Sequence, residues 1–196
     1  MAHTYTAFPD LWGQGTALIA VTASGGSDIN FSADVSSIDI DMGDKDFDSI
    51  ATTRGGRLHK QTPEADTTIT FEGYLTHLDT AEAEAVQRFF TTRSNWDTSE
   101  AYDVTNAHLR DNFRVAILWT EDTAVTLAAG TIPSGSAALR FVAIKCQLFS
   151  VKPTFTDNEL KWTFKFKTSP FQADGTANLR WQSCDGTPTL DALTAY

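Results

Sequence analysis

The run Leu160-Lys161-Trp162-Thr163-Phe164-Lys165-Phe166-Lys167 alternates a large apolar side chain with a polar one for its whole length. A period of two places Leu160, Trp162, Phe164 and Phe166 on one face of a β-strand and Lys161, Thr163, Lys165 and Lys167 on the other. One face requires a core; the other tolerates water. A lone hairpin is marginal in water, so this strand needs a sheet around it, and an architecture of such strands serves more readily through its surfaces than through a deep cleft.

The same period recurs elsewhere. Over residues 36–42, Ile38, Ile40 and Met42 oppose Asp39 and Asp41, and over 67–75, Ile69, Phe71, Gly73 and Leu75 oppose Thr68, Thr70, Glu72 and Tyr74. Further strands are expected over 113–120, 125–129, 139–151 and 177–182. Residues 1–30 read as an N-terminal arm with Phe8, Leu11 and Trp12 as anchors. It leads into a strand at Ala17 to Val21 and a turn at Ser24-Gly25-Gly26-Ser27. The anchors have two destinations, a neighbouring subunit or the chain's own sheet. One helix is predicted over 79–91: Asp79 caps free amides, Glu82 completes a capping box, and Ala81, Ala85 and Phe89 with Val86 and Phe90 form an apolar stripe. The expected fold is mainly β, an antiparallel β-sandwich or incomplete barrel with one flanking α-helix and a long loop. It forms one domain over 1–196 with Ile69, Phe71, Phe89, Trp162, Phe164 and Phe166 in its core.

With 196 residues and 41% hydrophobic composition, one substantial core is available. The formal charge of −10, from 25 acidic and 15 basic residues, provides no basic stripe for a general nucleic-acid binder, although it allows a wall past which DNA slides. Asp outnumbers Glu 18 to 7 and there are only 7 Lys, a balance suited to solubility in strong salt, where charge repulsion is screened over roughly 3 Å at 1 M. No apolar stretch reaches the roughly 20 residues that cross a bilayer, and residues 1–10 lack a signal-peptide pattern, so assembly in the cytosol is expected. Cys146 and Cys184 are too few and too far apart for a disulfide scaffold or metal knuckle and read as ordinary thiols.

Between two alternating segments lies an excursion, residues 42–61, rich in Asp, Thr, Gly and Arg. Loops of that length inside a domain are usually functional or disordered. Phe47, Ile50 and Leu58 give it apolar side chains to bury, which favours a contact loop. Arg54 and Arg57 either pair with carboxylates of a neighbouring copy, such as those between Asp39 and Asp48, or form a solvated cluster. Chemical sites are poorly supported. An EF-hand begun at Asp44 needs Gly at its sixth place and Glu at its twelfth, and finds Ser49 and Gly55. His3, His59, His77 and His108 lack zinc spacing, and Gly13-Gln14-Gly15 and Gly55-Gly56 lack the context of a nucleotide loop. There is no nucleophile elbow. No cofactor, metal or catalytic residue is expected.

The order of elements resembles the major tail tube proteins of long-tailed viruses of bacteria and archaea. The resemblance lies in the arm, the strand over 36–42 and the excursion with Arg54-Gly55-Gly56-Arg57. It continues through the return strand over 67–74, the helix over 79–91 and the late segment over 151–166, so it spans residues 30–175. That resemblance implies a virion structural protein, a β-sandwich flanked by a helix that closes hexameric rings stacked into a hollow tail tube for the passage of viral DNA. It also implies an assembly loop over 42–61 bridging copies, with the protein assembled in the host cytoplasm and residing in the virion tail. A tape measure protein, a tail terminator and a baseplate or distal tail protein would be its partners. Combined with the acidic composition, it points to a virus of a halophilic archaeon. Residues 92–138 depart from the pattern. The rival expectation is a β-sandwich module that binds a carbohydrate or receptor through Trp96, Tyr102, Trp119 or Trp181.

Overall fold

The alternating segments become strands because each has one apolar face, and an antiparallel arrangement lets two layers bury those faces against each other. A computed structural model describes residues 16–26, 28–33, 37–44, 47–61, 65–74, 112–120, 122, 124–135, 137–156, 159–185 and 189–196. In chain order the strands are β1 (Thr16–Ala23), β2 (Asp28–Ala33), β3 (Ile38–Asp41), β4 (Phe47–Ala51), β5 (Arg57–Gln61), β6 (Thr67–Tyr74), β7 (Phe113–Thr120), β8 (Ala137–Thr156), β9 (Glu159–Thr168) and β10 (Leu179–Asp185). The main sheet runs β2-β1-β7-β8-β9-β6-β3, with β10 also on β8, and all its pairings are antiparallel.

The 20 residues of β8 turn this one sheet into two layers. Its first part pairs with β7 and β10, and residues 147–156 pair with β9. Between them the register slips, since Phe113 faces Cys146 while Val115 faces Ala143. The extra residue is accommodated by Lys145, which adopts φ 53°, and such a bulge bends a strand and strengthens its twist. The polar groups freed at the bend are satisfied: Ile144 N–H donates to the Asn178 carbonyl at 2.9 Å, Lys145 N–H donates to Tyr196 Oη at 2.8 Å, and Thr168 Oγ1 donates to the Ile144 carbonyl at 2.9 Å. A second slip, between Leu148 and Ser150, leaves Phe149 outside the ladder and exposed.

The layers β2-β1-β7-β8-β10 and β8-β9-β6-β3 face each other across one apolar core, which makes the protein a mainly β, antiparallel sandwich. Phe31 from the first layer lies 5.6 Å from Phe71 and 5.3 Å from Phe164 of the second, and Phe113 meets Phe166 edge-on at 5.7 Å. Ile69, Phe71, Phe164 and Phe166 are fully buried, and Trp162 is partly buried against the same cluster. Leu160, expected on the core face, is 44% exposed near the tip of the β8–β9 hairpin, opposite the exposed Phe155.

Several expectations need correction. Residues 125–129 form no strand; they belong to a coil whose Ala128 and Ala129 cover the outer face of the first layer. Thr16–Ala23 and Asp28–Ala33 are integral strands of the sandwich, so any arm is confined to the part of 1–30 before Thr16. The excursion 42–61 is a β-hairpin, β4–β5, rather than an irregular loop. The predicted helix over 79–91, with Phe89, lies outside the described residues, as do Trp96, Tyr102, His3, His77 and His108.

Cys146 sits in the core, and burial, the largest influence, pushes its thiol up from 9.0 to about 12. The unfolded chain therefore ionises first. The stabilisation is complete below pH 9 and is lost as the pH rises toward about 12. In denaturant titrations, the wild type should lose more stability than Cys146→Ala between those values.

Candidate assembly surfaces

The first surface is the β4–β5 hairpin, which among the described residues pairs with no other strand. Its turn is closed by Thr52, whose amide and Oγ1 both donate to the Gly56 carbonyl, at 2.8 and 2.9 Å, and Gly55 takes the left-handed φ of 81° that the reversal requires. Phe47 stands opposite Gln61, and Ile50 stands opposite Leu58. Ile50 and Leu58 are 60% and 64% exposed, so the hairpin presents an apolar cross-strand pair to solvent instead of burying it in its own chain. Arg54 in the turn and Arg57 opposite Ala51 are exposed as well.

The second surface is the layer β8-β9-β6-β3. Among the described residues, neither β3 nor residues 147–156 of β8 has a partner strand on its outer side, so the layer ends in two open edges. The register groups the outward side chains into columns. Asp39 lies beside Thr70, Lys165 and Ser150; Asp41 lies beside Thr68, Lys167 and Gln147; Glu72 lies beside Thr163 and Lys152. Among the described residues nothing covers this bare face, which carries hydroxyls and charges of both signs. Lys167 Nζ is 3.1 Å from Asp66, and Thr163 Oγ1 donates to Glu72 at 3.4 Å. At the hairpin tip, exposed Phe155 stands opposite Leu160.

The first layer is different, because described residues cover its outer side. Ala20, Ala116, Leu118, Ala138 and Val142 on its outer side are covered by Ala128, Ala129, Ile132 and Leu190. The C-terminal segment 189–196 is held down by two buried arginines that sequence reasoning missed. Arg140 donates from Nε to Gln182 Oε1 at 2.9 Å, from Nη1 to the Gly130 carbonyl at 2.9 Å and from Nη2 to the Asp191 carbonyl at 2.7 Å. Burial, and then the nearby Arg180 and Arg114, lower its affinity for the proton. Arg114 donates to the Thr194 carbonyl and Thr22 Oγ1, and pairs with Asp28 at 3.1 Å. The available sequence signal was the nearly continuous apolar run Phe113-Arg114-Val115-Ala116-Ile117-Leu118-Trp119, which marks burial on both faces. Arg140→Met should lower unfolding free energy by about 2 kcal/mol, because buried acceptors lose their donor while the displaced segment regains some water. Urea denaturation checks this.

Of the aromatic residues behind the rival expectation, Trp119 and Trp181 stack at 6.1 Å, and Trp181 also packs 4.7 Å from Phe141, leaving Trp181 partly exposed. Among the described residues, no group of three or more His, Cys, Asp and Glu is placed to hold a metal ion.

No protein-family model matches the chain, and no curated protein matches its sequence. Among solved structures it is similar to the sheath/tube terminator of an extracellular contractile injection system, PVC, in the extended state. Identity is 12%, TM-score is 0.45, and 92% of this chain and 99% of that chain are covered. It is also similar to the tube terminating cap of the anti-feeding prophage, with 11% identity, a TM-score of 0.45, and coverage of 94% and 95%. An Hcp protein is similar at 10% identity and a TM-score of 0.39, with coverage of 89% and 99%.

Proposed function

We propose that the chain is a structural subunit of a viral tail whose copies close hexameric rings and stack into a hollow tube through which DNA passes. The observation that carries this reading is the pair of open edges on the layer β8-β9-β6-β3. Unpaired edges invite another strand. Because this layer contains an even number of alternating strands, β3 and the 147–156 part of β8 run in opposite directions. A rotation that places one copy's β3 beside the next copy's β8 therefore continues the antiparallel ladder. Such a contact joins two different surfaces, and it closes when the rotation divides a full turn.

The covered layer then belongs outside. It carries the coil 124–135 and the C-terminal segment, and a ring provides more circumference there. The bare face of β8-β9-β6-β3 is left lining the lumen. This lining sets Lys152, Lys161, Lys165 and Lys167 against Asp39, Asp41 and Glu72. It is close to charge balance despite the chain's net −10, so passing phosphates meet neither a wholly cationic nor a wholly anionic wall. The β4–β5 hairpin, with Ile50 and Leu58 exposed, bridges to another copy. The tape measure protein, tail terminator and baseplate are its expected companions.

Negative-stain microscopy of the purified chain, over a range of protein and salt concentrations, tests this function. Rings or tubes are expected, whereas monomers in every condition, together with absence of the chain from virion tubes, overturn it.

A further inference from the structure

We propose that the junction between copies is matched by charge, with Asp39 and Asp41 on the β3 edge of one copy flanking Lys152 on the β8 edge of the next. The inference rests on the edge-to-edge reading above and gives it a specific chemistry. Asp39 and Asp41 are the outward, exposed residues of the four-residue β3, and Lys152 is exposed on the outward face of β8 between Ser150 and Thr154. Among the described residues, none of the three has an ion pair within its own chain. They stand at opposite edges of one layer, with opposite signs.

The other side of the junction matches too. Ile38 and Ile40 point inward from β3, and Val151 packs toward the core from β8. An antiparallel pairing thus sets apolar residues beside apolar residues on the core side and carboxylates beside an ammonium on the bare side. When Lys152 stands opposite one aspartate, the other is its diagonal neighbour, about 7–8 Å away and within reach of a long side chain. A one-residue slip would set the aspartates beside the core-side Val151 of the next copy instead of Lys152, so the charges also fix the register.

Charge exchange provides the test. Asp39→Lys with Asp41→Lys makes both edges positive, and Lys152→Glu makes both edges negative. Each variant alone should lose about tenfold or more in association by sedimentation velocity, because like charges then meet at every junction. An equimolar mixture should recover assembly by alternating the two variants. A single chain carrying all three substitutions should assemble with itself and not with wild type. Should a reversal variant lose its β-sheet circular dichroism, the neutral pair Asp39→Asn with Asp41→Asn replaces it, with a partial loss of assembly and a flattened salt dependence expected.

Folded variants that assemble like wild type overturn the charge-matched junction and leave the tube reading intact. So does loss of assembly that neither the mixture nor the triple substitution restores. A wild-type chain that forms no rings overturns the underlying reading instead.

Discussion

Phe164→Ala should cost the folded chain about 3–5 kcal/mol, the range found when a large buried aromatic side chain is truncated and its cavity only partly collapses. Phe164 is fully buried on β9, opposite Phe71 on one side and Val151 on the other. Its ring lies 5.2 Å from Phe71 and 5.3 Å from Phe31, which belongs to the opposing layer. Aromatic pairing alone contributes about 0.5–1.5 kcal/mol, so most of the loss comes from apolar area and the void between the layers. Domains are stable by only about 5–15 kcal/mol, and the urea midpoint should fall by a large fraction with an unchanged slope. Phe164→Leu, which retains much of the volume, should cost clearly less.

The opposite pattern is expected for Ile50→Asp combined with Leu58→Asp. Both side chains project into solvent, so the monomer's far-ultraviolet circular dichroism and melting point should barely change. Tube growth should stop. If each side chain is buried between copies, its apolar contact contributes roughly 1–3 kcal/mol, and a buried unpaired carboxylate in its place is worse than simple loss. Arg54→Glu with Arg57→Glu should act in the same direction by repelling an acidic neighbour. Phe47→Ala should also weaken growth by removing an apolar anchor from β4. Circular dichroism paired with sedimentation separates folding from assembly, and normal tubes from these variants would remove the hairpin from the assembly contacts.

The contrast follows what each part of the sequence could reveal. Strands with one wet face were legible, because Ile38 and Ile40 against Asp39 and Asp41, or Phe164 and Phe166 against Lys165 and Lys167, express the pleat directly. Residues 125–129 misled because Val125, Leu127, Ala128 and Ala129 are apolar for a different reason: Ala128 and Ala129 seal a second small core as coil. Arg140 was silent, since a buried arginine held by carbonyls rather than carboxylates leaves no charge pattern to read. The hairpin within 42–61 was missed because none of residues 49–58, Ile50 and Leu58 included, is buried in its own chain, and periodicity reports burial. As for the candidate site, the excursion and its Arg54, Arg57, Ile50 and Leu58 could be singled out locally. The two open edges could not, because an edge is a property of topology.

Edge-to-edge closure is tested most directly by cross-linking. Two variants, Lys152→Cys combined with either Asp39→Cys or Asp41→Cys, each place one thiol on each edge of the layer, and one of them sets the thiols directly opposite at disulfide distance, while Cys146 and Cys184 are buried and stay out of the reaction. Mild oxidation of the assembled protein, followed by denaturing electrophoresis without reductant, should give a ladder of covalent oligomers that ends at one closed species. Each single-cysteine variant should give no ladder. A product that stops at dimer, or chains of both variants that remain monomeric in samples shown by microscopy to be assembled, would contradict the account.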